Sequence, residues 1–206
     1  IIDWKMKFED ERFRESTMHN FGKRGSSWHE AVAKCYKYET KTVDGQLVER
    51  AVPAFIALDQ LLEHSNMQDG LAVLSDLEAL MVKVSTELPW ITCGIIKSDN
   101  AGAYHKKELL FAIPILNATS KGIKIIRVFH SETQDGKDVC DSHGAIGHRK
   151  VIQYLTTRQF DTEYRQVCSS RALATALAWD GGLQNSGALE SHCFILSKQS
   201  LTFITC

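Results

Sequence analysis

The chain has 206 residues, 44% hydrophobic and 24% charged, with a formal net charge of -1. Those values fit one globular core with room for an appended subdomain, and no apolar run approaches the roughly 20 residues that span a bilayer. The near-zero charge argues against a uniformly basic nucleic-acid binder, although charge gathered on one face still attracts phosphates.

Ile2 to Phe8 reads as a strand, because Ile2, Trp4, Met6 and Phe8 alternate with Asp3, Lys5 and Lys7. A charged connector, 9–25, ends in a segment whose two glycines suit a turn. Ser27 to Tyr38 is a second strand. Asp44-Gly45 is a favourable hairpin turn into a third, Leu47 to Leu58, which Pro53 weakens or places at a sheet edge. Between 68 and 88 leucines and other apolar residues recur at spacings of three and four, predicting a helix that Pro89 ends.

Ile91 to Lys97 is short and apolar, as a buried strand is. A helix over 105–118 follows, which Pro114 should kink or interrupt, then a strand over 123–130. The next helix, 139–157, carries Gly144 and Gly147, each costing about 1 kcal/mol relative to alanine. A helix over 167–179 stops at Gly181-Gly182, and 193–197 and 201–205 suit two last strands. The expectation is an α/β fold, an RNase H-like mixed sheet flanked by helices over 1–160, with a helix-plus-strand extension over 161–206 packed on it. Six cysteines without CxxC pairs read as free thiols in a reducing compartment.

In open α/β sheets ligands gather beyond the carboxyl ends of central strands. Asp99 directly follows the buried strand and opens a loop, a position suited to a metal ligand as well as to a turn-capping side chain. Asp3 stands on the polar face of the first strand, where solvation alone would also account for an acid. A third acid is sought in the stretch running into the helix at 139, where Glu132, Asp135, Asp138 and Asp141 compete and Asp141 is favoured. Asp138 and Asp141, three apart, share a helical face, so that one can point at metal while the other caps the helix. Hard cations such as magnesium take oxygen ligands, and two of them about 3.5–4 Å apart can activate an attacking oxygen and stabilise a leaving one. Cys140 and His143 have zinc-like spacing, but no second pair completes a tetrahedral set, so core or surface histidines are the better account. Trp28 and Trp90 are expected in the core. Lys23, Arg24 and Lys137 could contact a nucleic-acid backbone, or be solvated loop charges.

The segments Ile2-Asp3-Trp4-Lys5-Met6-Lys7-Phe8, Phe13-Arg14-Glu15-Ser16 through Phe21-Gly22-Lys23-Arg24-Gly25 to Trp28-His29, Ser98-Asp99-Asn100-Ala101-Gly102-Ala103-Tyr104-His105 and Gln134-Asp135-Gly136-Lys137-Asp138-Val139-Cys140-Asp141 resemble the recurring blocks of a multicopy family of animal proteins derived from DDE/D-type transposases. The resemblance covers about residues 1 to 160. It implies a DDD triad of Asp3, Asp99 and Asp141, two Mg2+ or Mn2+ ions, DNA as partner and a nuclear location. It further implies phosphodiester cleavage and strand transfer by a core whose DNA-binding module lies in a flanking domain. Self-association and a domesticated scaffold that binds nucleic acid or protein without cutting are also compatible with it. The start at Ile1 is read as that of an excised segment.

Overall fold

The computed structural model describes residues 1–8, 11–12, 25–62, 68–98, 102–131, 139–157, 166–167, 169–180, 189–196 and 201–204. In chain order the elements are β1 (Ile2–Phe8), β2 (Glu11–Arg12), β3 (Ser26–Val43), β4 (Gln46–Leu62), α1 (Gly70–Glu87), β5 (Cys93–Ser98), α2 (Lys107–Thr119) and β6 (Lys124–His130). They continue with α3 (Val139–Thr157), β7 (Gln166–Val167), α4 (Ser170–Ala178), β8 (Leu189–Leu196) and β9 (Leu201–Ile204). Seven strands form one mixed sheet in the order β6-β5-β1-β3-β4-β8-β9, and β2 pairs with β7. The fold is α/β, a mixed sheet flanked by helices.

The sheet has two covered faces because β3 and β4 alternate buried side chains to both sides. Ile2, Ala31, Ile56, Leu58 and Ile125 pack with Val73, Leu77, Met81 and Val84 of α1 and with Leu109 and Leu116 of α2. On the opposite face Trp28 and Leu61 meet Val151, Tyr154 and Leu155 of α3 and Leu173, Ala174 and Leu177 of α4. Asp69 caps α1 by accepting from the Leu71 and Ala72 N–H groups, and Ser169 caps α4 by accepting from Ala172.

The β3–β4 hairpin turns at Asp44 and Gly45, whose φ angles of 51° and 79° are the left-handed pair that a two-residue hairpin needs. Both strands run past the expected bounds into an outer half that is largely exposed. Pro53 belongs to this outer half: it faces Tyr36, and the β4–β8 pairing begins only at Phe55, so its missing N–H leaves no gap in an interior ladder. The predicted break in α2 does not occur. The helix continues through Pro114 to Thr119, and the carbonyl that loses its donor belongs to Leu110, an exposed residue that water can reach. Trp90 is 55% exposed, contrary to expectation, because it lies in the turn after Pro89 rather than on a strand; Trp28 is fully buried.

Gly144 and Gly147 of α3 sit where the helix touches the sheet. A Cβ on Gly147 would lie 2.8 Å from Trp28 Cη2, and one on Gly144 would lie 2.5 Å from Glu30 Oε1. The helix accepts their low propensity because no larger residue allows so close an approach. Gly147→Ala should therefore lower stability, since overpacking costs about 1–3 kcal/mol against the roughly 1 kcal/mol that alanine gains in a helix. A denaturant midpoint at or above that of the parent would contradict this packing.

Candidate functional site

Five polar residues with no role assigned from the sequence, Ser27, His29, Glu30, Asp59 and Gln60, are buried across β3 and β4. Glu30 and Asp59 are register partners, and Glu30 is in turn the partner of Asp3 on β1. Directly opposed residues share a face, so Asp3, Glu30 and Asp59 form a row across three strands on the side that α3 covers. Asp3 is half-buried and Glu30 and Asp59 are inaccessible to solvent.

Asp59 is a two-sided acceptor. The Trp28 indole Nε1 donates to its Oδ1 at 2.8 Å, and His143 Nε2 donates to its Oδ2 at 2.8 Å. His143 comes from α3, so this pair of bonds ties the helix to β4 and fixes its rotation over the sheet. The histidine flagged for possible zinc binding is thus a core residue bonded to a carboxylate, and Cys140, one turn earlier, packs with Val32 and Ala57.

The opposite face holds a second buried set. His29 Nδ1 donates to Gln60 Oε1 at 2.6 Å, and Gln60 Nε2 donates to the Asp76 backbone carbonyl at 2.7 Å. His29 Nδ1 and Asp76 Oδ2 are 3.8 Å apart. Burial lowers the His29 pKa to about 4 despite the bond to Gln60, and burial raises that of Asp76 well above the ordinary carboxylate value. Both directions favour a neutral histidine beside a protonated acid rather than an ion pair.

The two shifts oppose one another. As pH falls from about 6.5 toward 4, the unfolded chain takes up a proton that folded His29 refuses, which lowers stability. Over the same range folded Asp76 holds a proton that the unfolded chain lacks, which raises it. In Asp76→Asn only the histidine contribution remains. That variant should lose stability more steeply than the parent as pH falls from 6.5 to about 4, measured by urea unfolding at each pH. Parallel pH profiles of variant and parent would rule the coupling out.

The carboxyl ends of β5 and β6 are joined by a 2.7 Å hydrogen bond between Ser98 Oγ and His130 Nδ1, and the His105 ring stands edge-on to His130 at 4.2 Å between centroids. β5 pairs in parallel with β1 at one point, Ile2 with Ser98. Asp3 is the residue after Ile2, and Asp99 the residue after Ser98. Asp99, Glu132, Asp135, Asp138, Lys23, Arg24 and Lys137 lie outside the described residues. Asp141 is exposed in the first turn of α3. Among the described residues, no three His, Cys, Asp or Glu side chains are grouped closely enough to hold a metal ion. None of the helices described is long and apolar enough to cross a membrane.

Comparison with protein-family models, curated proteins and solved structures finds no match to this chain.

Proposed function

We propose that the sheet is an RNase H-like catalytic core that cleaves and transfers DNA phosphodiesters with divalent metal, using Asp3, Asp99 and an acid of the 132–141 stretch, Asp141 being the favoured one. The observation that carries this reading is the parallel pair Ile2–Ser98, because Asp3 and Asp99 are the next residues in sequence after its two members. The strand arrangement supports it. An antiparallel run of β1, β3 and β4, with β5 and β6 added in parallel on the far side of β1, is the order expected of an RNase H-like sheet.

The donors suit the metal. Carboxylate oxygens are the ligands that magnesium and manganese prefer, and α3, which carries Asp141 in its first turn, is fixed over the same face as Asp3 by the Asp59–His143 bond. Magnesium bound there would supply Lewis-acid activation of the attacking oxygen and stabilisation of the leaving one. The chain itself holds the carboxylates on separate rigid elements, and Ser98 and His130 fix the strand end that precedes Asp99.

The test is nicking and strand transfer on supercoiled and on short duplex DNA, with magnesium, with manganese and with chelator. Metal-dependent product is expected. DNA binding without cleavage under any of these conditions would favour the second reading, a scaffold that binds and does not cut, for which the solvent exposure of Asp141 speaks.

A further inference from the structure

The outer half of the β3–β4 hairpin leaves the body of the sheet. β8 joins β4 only from Phe55 onward, and Ile2, which pairs with both Ala31 and Ser98, places the start of β5 at Cys93 about level with Tyr36. From Tyr36 through the Asp44-Gly45 turn to Pro53 the ribbon is therefore two strands wide among the described residues. Tyr38 on it is 70% exposed and Leu47 is 77% exposed. Two strands alone are marginal in water, and further strands on an edge stabilise them. The pairing nevertheless runs unbroken to Val43 and Gln46.

The two edges of this ribbon differ. Ile1 and Val32 exchange hydrogen bonds, both 2.8 Å, so Val32 turns its N–H and C=O away from β4. The unshifted register carries the alternation along β3, and Tyr36, Tyr38, Thr40 and Thr42 each offer a donor and an acceptor on the open side. On β4 the open side belongs to Leu47, Glu49, Ala51 and Pro53. Pro53 has no donor, and a two-fold axis at Glu49 would set that carboxylate against its own copy. The β4 edge is guarded against self-pairing, and the β3 edge is not.

We infer that the β3 edge pairs antiparallel with the same edge of a second copy of this chain, about a two-fold axis at Thr40. Such an axis sets the central residue opposite its own copy, and the centre must be a residue whose backbone bonds outward. At Thr40 the flanking residues match. Glu39 falls opposite the partner's Lys41, and Lys41 opposite the partner's Glu39, in the closer, non-hydrogen-bonded kind of pair. Lys37 already stands 3.1 Å from Glu39 along the strand, so charges alternate across the whole contact. Tyr38 falls opposite the partner's Thr42, an aromatic side chain against a β-branched one. An axis at Tyr38 would drive the partner's turn to the level of Val32, where β1 stands, and an axis at Thr42 would pair only the tip. The product is a four-stranded ribbon, β4-β3-β3-β4, continuous with the sheets of both copies.

Sedimentation equilibrium of the 206-residue chain, from micromolar to millimolar concentration, should show monomer and dimer in exchange. Glu39→Lys and Lys41→Glu should each weaken the dimer at least about tenfold, because each sets like charges opposite one another at two symmetric places. The double variant Glu39→Lys/Lys41→Glu should return to within about threefold of the parent, since opposite charges face each other again. All three lie outside the core and should keep the parent's unfolding midpoint. Hydrogen exchange locates the contact: the Tyr38, Thr40 and Thr42 amides should slow as protein concentration rises, and those of Leu47, Glu49 and Ala51 should not. A chain that stays monomeric to millimolar concentration would overturn the inference. So would a dimer indifferent to charge reversal, a double variant as weak as the single ones, or protection along β4 instead of β3.

Discussion

Asp99→Ala is expected to reduce metal-dependent nicking by at least about a hundredfold while leaving the unfolding midpoint near that of the parent. Groups that merely orient a metal ligand cost about 10–100-fold when removed, so a ligand itself should cost no less. The position explains the choice. β5 is an interior strand of the sheet, Ser98 is its last residue, and the position one step beyond an interior strand's carboxyl end is where open sheets present groups to ligands. Asp141→Ala, measured beside it, asks whether the third carboxylate is the favoured one among the four acids of 132–141. Metal-dependent cleavage that survived both substitutions would remove the proposed site. A matched loss of cleavage and of manganese binding in Asp99→Ala, with the fold intact, would support it.

Asp59→Ala should destabilise the fold by about 3–5 kcal/mol. Two buried donors, Trp28 Nε1 and His143 Nε2, lose their acceptor together. Each orphaned buried donor costs about 1–3 kcal/mol, and the vacated volume at a site of zero exposure adds to it. Asp59→Asn should cost less. Its carbonyl still accepts from the indole, and His143 can turn its other tautomer toward the amide so that Nε2 accepts instead of donating. The ordering, alanine far worse than asparagine, is the diagnostic. A loss below about 1 kcal/mol for alanine would mean that α3 does not depend on this bond. The same variant tests a link between packing and chemistry, since α3 carries Asp141 and the Asp59–His143 bond sets its rotation.

Much of this architecture is readable from pattern. The alternation around Asp3, the leucine spacing of 71–88, the Asp44-Gly45 turn and the apolar run before Asp99 each reflect a local rule, and β1, α1, the hairpin and β5 follow them. Local rules fail where a distant partner decides. Pro114 reads as a break, but a surface helix keeps its course when the orphaned carbonyl faces water. Trp90 reads as core from its neighbours, although the turn after Pro89 carries it outward. Gly144 and Gly147 count against a helix by propensity, whereas contact with Glu30 and Trp28 makes them necessary.

The buried polar groups were the least legible. Glu30, Asp59, Gln60 and Asp76 look like ordinary wet-face residues until the sheet is known to be covered on both sides. One signal was present: Asp59 and Gln60 interrupt the apolar run from Phe55 to Leu62, and acids inside such a run have partners more often than water. For the proposed carboxylate triad, the sequence supplies the candidates, and the Ile2–Ser98 pair relates the strands that directly precede or contain two of them.

The parallel pairing of β4 with β8 has a consequence for how the chain is made. Phe55 bonds beside Leu189, so one edge of the inner half of β4 has no partner until the chain has been made through β8. Contacts of such long sequence separation form late and slowly, and the open edge carries an apolar run that can pair with another chain in the meantime. Nascent molecules should therefore depend on chaperones that shield strand edges, and chains released before β8 is synthesised should accumulate as aggregates rather than as soluble fragments.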